Sequence, residues 1–392
     1  MIRPTRAWRT ATVLAAASLV LSACGQDTSN EPAGGGENTD AASPSEKEES
    51  GAPKTGDGTL TIGSLLPQTG DLAFLGPPEF AGVDLAVQEI NAAGGVLGND
   101  VKEIDADSGD GTPDIAGAEV DSLLNAKADA IIGAAASGVS VSVIDKITGA
   151  GVVHFSPANT AAGFDTYDDN GLYFRTAPSD VLQGEILANL VVEDGFDNVA
   201  IMGRQDFYGE GLAERTQEVL EEKGATVAEF VLYSADAQNY TAEVAKIAAS
   251  KPDALVLVAF EETTKIIPQL IAKGIGPQDI QIYFVDGNLA DYSSENFDLT
   301  GVKATVPGAA EPDQEFIKNL KEIDPKLKDL TYGAESYDAV MITALAAVAA
   351  EDDSGEAIGS EIINVTKDGT ECSSFEDCSK LLEEGEDIDY SG

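Results

Sequence analysis

Two short turns carry polar groups from which a binding site could be built. Residues 133–138 read Gly-Ala-Ala-Ala-Ser-Gly, and residues 156–161 read Ser-Pro-Ala-Asn-Thr-Ala. Each turn ends an apolar run, Ala130-Ile131-Ile132 for the first and Val152-Val153-His154-Phe155 for the second. A helix-forming stretch opens at about Ser137, so unpaired backbone N–H groups and the positive end of a helix dipole point outward there. A carboxylate or a phosphate suits such a place. The second turn adds the Thr160 hydroxyl, the Asn159 amide and free backbone groups. Neither turn contains Lys or Arg. The pair reads as a cradle that holds an anion by dipoles and N–H groups; the alternative for 133–138 is a plain tight turn.

Other chemistries find little support in these residues. No Lys-Ser or Lys-Thr follows Gly138, so 133–138 is not a nucleoside-triphosphate loop, and the Gly-x-Gly-x-x-Gly fingerprint of dinucleotide sites is missing. His154 is the only histidine, and it ends an apolar strand, where a packed or hydrogen-bonded role fits better than ligation. A Ser-His-Asp triad has no serine elbow to build on. Three cysteines and one histidine are too few for a Cys/His metal centre. The reading is a binding protein without cofactor, metal or catalytic residues.

The elements that must position the turns alternate along the chain. A strand at 59–66, a loop at 67–78, a helix at 79–93 stopped by Gly94-Gly95, a strand at 101–107 and a helix from 112 to about 125 precede the strand at 130–132. This β-α alternation argues for a parallel sheet covered on both faces, whose strand C-terminal ends border the ligand crevice. Ser179 or Asp180 can cap a helix over 181–193. A second series then begins, with strands near 198–203, 226–232, 254–259 and 281–285 and helices near 209–223, 240–250 and 263–273. The expectation is two similar doubly wound parallel-sheet lobes. The stretch at 336–350 is apolar nearly all round, so it is expected to return to the first lobe and be buried. Repeated crossing makes a hinge suited to a closing clamshell.

Composition bounds the partners. The chain has 392 residues, 69 acidic against 23 basic, and a formal net charge of −46. So acidic a surface argues against nucleic acid and against an electrostatic grip on anionic lipid. Arg3, Arg6 and Arg9 precede a short apolar run at 11–21, too short to span a bilayer and characteristic of an export signal. The following Leu21-Ser22-Ala23-Cys24-Gly25 resembles a lipobox, which implies cleavage after residue 23 and lipidation of Cys24; ordinary signal cleavage with an incidental cysteine is the alternative. Residues 24–58 are rich in Gly, Ser, Pro, Asp and Glu and read as a disordered tether. This predicts a protein leashed to the outer face of the cytoplasmic membrane. Outside the cytoplasm, Cys372 and Cys378 are close enough in sequence for a small-loop disulfide.

Several segments in order resemble the branched-chain amino-acid (leucine/isoleucine/valine) binding group of ABC importers, with the type I periplasmic-binding-protein fold. They are IGSLLPQTGDLAFLG, AGVDLAVQEINAAGGVLG, GAAASG with HFSPANTA, FRTAPSD, DFYGEGLA, ESYDAV and the closing SFEDCSKLLEEGEDIDYSG. Together they cover most of residues 59–392. The resemblance implies a first lobe of 59–177 plus about 307–352 and a second lobe of 178–306 plus about 353–392. It puts a ligand carboxylate on Ser137, Ala158 and Thr160, with Gly138 and Asn159 alongside. It implies an ammonium on Asp286 in IYFVDGN, with Glu261 as second candidate, and aromatic contacts from Tyr208, Phe74 and Phe260. A small amino acid and an ABC permease are the implied partners. Relatives in the family continue past an IDYSG-like ending with another strand pair, which leaves the hinge count open. Leu75 and Pro77-Pro78 also depart from the family's loop, which leaves the side-chain pocket open. Other ligands on the same fold (an amide, a urea, an aromatic acid) and a sensory role at a membrane receptor are the rival readings. Arg175 and Asp338 are read as structural, and Glu261-Glu262 as a solvated acidic pair.

Overall fold

The structure is a computed structural model that describes residues 56–110, 113–308 and 312–392. The signal segment, the lipidation position Cys24 and the tether up to residue 55 lie outside the described residues. Period-two alternation sets the first layer. In β1 (Thr61–Leu66), Ile62 and Leu66 enter the core on one side of the sheet, while Leu65 enters the core on the other. Around β1 stand β2 (Lys102–Asp107), β3 (Ala130–Gly133), β4 (Val153–Ser156) and β5 (Tyr173–Arg175), all parallel, in the order β2-β1-β3-β4-β5. The connecting helices are α1 (Gly76–Ala92), α2 (Pro113–Asn125) and α3 (Ser137–Gly149). The helix α1 begins three residues earlier than the sequence suggests. Pro77 and Pro78 sit in its first turn, where the missing N–H costs no helical bond.

The second sheet repeats the plan. After α4 (Asp180–Glu193) come β6 (Asn198–Arg204), α5 (Gly209–Glu222), β7 (Thr226–Tyr233), α6 (Thr241–Ser250), β8 (Ala254–Val258), α7 (Thr263–Ala272), β9 (Gln281–Phe284) and the short β10 (Lys303–Ala304). They form a parallel sheet in the order β10-β9-β8-β6-β7. In β8, Leu255 and Leu257 pack under α6 and α7, while Ala254, Val256 and Val258 pack toward α5. The chain passes from the first lobe to the second after β5 and returns between β10 and α8 (Gln314–Ile323).

The last part of the chain corrects one expected boundary. The helix α9 (Gly333–Ala350) is buried on nearly every side against α1 and the first sheet. Its outer flank is covered by α10 (Gly355–Glu361) and α11 (Phe375–Glu383). Ile358, Ile362, Val365, Phe375 and Tyr390 share one apolar cluster with Ile62, Phe155 and Met341. Residues 353–392 therefore pack on the first lobe, not on the second. A helix apolar nearly all round needs cover on its far side, and the following residues supply it. The strands β11 (Thr370–Cys372) and β12 (Ile388–Tyr390) form a small parallel pair around α11. Cys372 and Cys378 are joined there, with Cα atoms 5.5 Å apart. Asp338 accepts from the Tyr390 hydroxyl at 2.7 Å and thereby ties α9 to β12, a structural part.

Candidate functional site

The first polar turn begins where β3 ends. At Gly133 the backbone has φ of +121°, and a Cβ there would stand 1.9 Å from the Leu65 carbonyl oxygen, so the turn needs glycine. Ala136 then leads into α3 without any side-chain cap, which leaves the first N–H groups of that helix for an external partner. The second turn follows β4 and is stitched to the first from behind. Ser156 Oγ donates to the Ala134 carbonyl at 2.7 Å and accepts from Asn159 N at 2.9 Å. Asn159 Nδ2 donates to the carbonyls of Ala134 and Ala135 at 2.9 and 2.8 Å, and its Oδ1 accepts from the Tyr173 hydroxyl at 3.0 Å. The Asn159 amide is thus used up inside the fold. Arg175 also works from behind, donating to the carbonyls of Asn159 and Ala161 and pairing with Asp165.

The acidic side of the site comes from the other lobe. Asp286 opens a one-turn 3-10 segment just after β9, held by Asn288 Oδ1, which accepts from Val285 N at 2.9 Å. Its Oδ1 accepts from Gln183 Nε2 at 3.0 Å and from the Tyr208 hydroxyl at 2.8 Å; its Oδ2 accepts from the Tyr332 hydroxyl at 2.9 Å. Burial, then the nearby Asp286 charge, pushes both tyrosine hydroxyls well above their usual range, so they remain donors. One helical turn before Gln183, Asp180 is fully buried, with the Thr160 side chain beside its carboxyl. Burial first, then the nearby Asp286, pushes its carboxyl well above the ordinary range, while the Thr160 side chain pulls the other way.

Between the lobes these groups line a narrow cavity of about 20 Å³. The first lobe lines it with Leu72, Leu75, Ala136, Ser137, Ala158 and Thr160. The second lobe contributes Tyr208, Phe260, Asp286 and Gly287, and Tyr332 closes it from the head of α9. Larger grooves open on the surface, for example beside Leu289 and Val306, but the cleft cavity is where both turns and the acid meet. So narrow a space has room for about one water molecule, so a ligand of metabolite size needs the lobes further apart than they stand here.

Some sequence candidates do not reach this space. Phe74 packs against the core instead, because hydrogen bonds from Ala73 N to Gly70 O and from Leu75 N to Leu72 O coil the loop so that Leu72 and Leu75 face inward. Glu261 is exposed; the turn after β8 sends Phe260 into the cavity and Glu261 out to the surface. Its neighbour Glu262 is not solvated as the sequence suggests, being 2% exposed and paired with Arg204. Gly138 stands half-buried at the outer mouth of the cleft. His154 is fully buried and edge-on to Tyr173, and burial pushes its imidazole down to about 3, so it is neutral. Tyr332 and Gln183 went unnoticed in the sequence. The ESYDAV segment lies close to Tyr332, but nothing local in Thr331-Tyr332-Gly333 signals a left-handed tyrosine with φ of 62° aimed across the cleft.

The chain resembles known binding proteins across most of its length. It is 25% identical over 350 residues to a substrate-binding protein of a chemotactic signal transduction system from Halobacterium salinarum, covering 85% of this chain and 81% of that one. It is 29% identical over 275 residues to the Leu/Ile/Val-binding protein of Escherichia coli K12, covering 68% and 74%. A crystal structure of a branched-chain amino acid transporter substrate-binding protein from Streptococcus pneumoniae, in complex with isoleucine, superposes with a TM-score of 0.67 at 25% identity, over 79% of this chain and 89% of that one. The profile of the family described as periplasmic binding protein matches residues 59–372. With two parallel-sheet lobes closing on one cavity, the chain belongs to the periplasmic binding protein family and is a solute-binding protein of the type I fold.

Proposed function

We propose that the cavity takes a small amino acid with an aliphatic side chain, carboxylate toward Ser137, Ala158 and Thr160 and ammonium toward Asp286, and delivers it to an ABC permease. The observation that carries this reading is Asp286 on one lobe facing two cation-free polar turns on the other across a narrow cleft whose walls mix Leu72, Leu75 and Phe260 with polar groups. A zwitterion brings no net charge into that space, whereas phosphate or sulfate would meet Asp286 unpaired. A carboxylate offers about four lone-pair sites. Gln183 and Tyr208 take two on Oδ1 and Tyr332 takes one on Oδ2, which leaves room for one ligand N–H. Each charge-assisted hydrogen bond contributes roughly 1.5–3 kcal/mol, and burying an aliphatic side chain against Leu72 and Leu75 roughly the same. After association costs such a set reaches about −8 kcal/mol, near micromolar affinity.

The test is titration calorimetry with leucine, isoleucine, valine, 4-methylpentanoate, 3-methylbutylamine, benzoate, acetamide and urea. Leucine-like amino acids are expected to bind near micromolar, and the two analogues lacking one charged end to bind at least a hundredfold more weakly. Binding of benzoate or an amide in preference to every amino acid would overturn the reading. The lipobox-like segment supports an anchor through Cys24. Mass spectrometry of membrane-extracted protein is expected to find a diacylglyceryl group on Cys24, and Cys24→Ser to release the protein. A second recipient is favoured by the Halobacterium relative, whose name ties it to chemotactic signalling. Co-purification with a permease or with a receptor separates the two.

A further inference from the structure

Arg204 is 6% exposed, ends β6, and lies beside the cavity without lining it. Its Nε donates to Asp206 Oδ2 at 2.5 Å, and its Nη1 to Glu262 Oε1 and Oε2 at 3.0 and 3.3 Å. Glu262 is itself held by the Tyr233 hydroxyl at 2.8 Å. Fixed on these sides, the guanidinium carbon stands 3.4 Å from the centroid of the Phe260 ring. That ring stacks on Tyr208, centroids 5.5 Å apart and planes 24° apart, and the Tyr208 hydroxyl donates to Asp286. The same Asp206 that takes the Arg204 Nε accepts from the backbone N–H groups of Tyr208 and Gly209 at 3.1 and 2.7 Å through its other oxygen. A Cβ on Gly209 would stand 2.3 Å from Arg204 Cγ, so the start of α5 passes tightly over the arginine stem.

We infer that Arg204 is a positioning residue for the amine half of the site, holding Tyr208 at both its backbone and its ring so that the phenol stays aimed at Asp286. This deepens the reading given above and rests on it for the ligand. A planar guanidinium suits the task because it can donate along its edge to two carboxylates while its face lies on an aromatic ring; an ammonium group is a point charge and cannot. The pair with Glu262 is buried and the pair with Asp206 half-buried, and both form without any ligand.

The experiment is a double-mutant cycle on the full protein with leucine as probe. Arg204→Met is expected to weaken leucine about tenfold in the wild-type background and by less than twofold in a Tyr208→Phe background, because the effect runs through that hydroxyl. Losses of equal size in both backgrounds would overturn the inference. Because Arg204→Met leaves Glu262 buried without its cation, the cycle is repeated with Arg204→Met/Glu262→Gln, which removes that unpaired charge. A readout without ligand is the near-ultraviolet circular dichroism of wild type minus Tyr208→Phe. This tyrosine signal is expected to collapse in the Arg204→Met/Glu262→Gln background, and an unchanged signal would overturn the inference even if leucine proved not to be the ligand. Failure of wild type to bind any amino acid would instead sink the proposed function, while the dichroism arm still decides the role of Arg204.

Discussion

Tyr332 Oη donates to Asp286 Oδ2 at 2.9 Å across a separation of 46 residues, joining the head of α9 to the end of β9. It is the contact by which the helix most deeply buried in the first lobe reaches the acid of the second. Tyr332→Phe is expected to weaken leucine-like ligands by about tenfold, the usual worth of a neutral donor on a charged acceptor being roughly 1.5–3 kcal/mol. Titration calorimetry measures it, and an unchanged affinity would show that this hydroxyl does not hold the acid for binding.

Asp286 itself has a larger expected effect. Asp286→Asn keeps the shape and most of the hydrogen bonds but removes the charge that would meet an ammonium. Truncating one partner of a buried charge pair typically costs about 2–5 kcal/mol, so affinity for amino acids is expected to fall by two orders of magnitude or more. Affinity for an uncharged probe such as acetamide should move little. An Asn variant that still binds leucine normally would refute the ammonium assignment.

Glu79 predicts a pH dependence of stability. It is fully buried in α1 with no hydrogen-bond partner on either oxygen. Burial first, then Glu335 nearby, pushes its carboxyl well above the ordinary value. The folded state therefore binds a proton that the unfolded chain releases, and stability falls as pH rises from the unfolded value near 4 toward the raised one, by up to about 1.4 kcal/mol per pH unit. Glu79→Gln removes this term. Its melting temperature relative to wild type is expected to rise as the pH is raised above the unfolded value, and a difference independent of pH would contradict the assignment.

The Cys372–Cys378 bond closes a loop with a sequence separation of 6. Chain-entropy reasoning gives a loop this short about 2 kcal/mol. Protein secreted under oxidising conditions is expected to gain 2 Da on reduction by intact mass, and the double Cys→Ser variant to melt several degrees lower. Finding both thiols free in exported protein would remove the bond from the account.

Much of the fold was readable along the chain, for a local reason. Strand and helix periods, the cap at Ser179 and the stops at glycine depend on residues close in sequence, and most elements of the two β-α series formed where such signals stood, the short edge strands β5 and β10 excepted. The same holds for the two polar turns, because a turn after a parallel strand must open at the sheet's C-terminal edge. Which polar group in a turn faces the ligand was not readable. Asn159 and Thr160 are adjacent and equally capable, yet the first is consumed by Ala134, Ala135 and Tyr173 and only the second lines the cavity. Glu261 and Glu262 likewise differ in what β6 and β7 bring beside them, Arg204 and Tyr233 both pairing with the second.

What the sequence by itself determined is the element order, the parallel sheets and the turns that line one side of the cleft. What only the tertiary structure decided is how the other rim is held. Tyr332, Gln183 and Arg204 come from separate elements and converge on Asp286 and Tyr208 through contacts 46 to 103 residues apart or through an intervening ring. The packing of 353–392 onto the first lobe has the same origin. Such convergence depends on which faces the helices bury against each other, and that is a property of the packed core with no counterpart in any local stretch of residues.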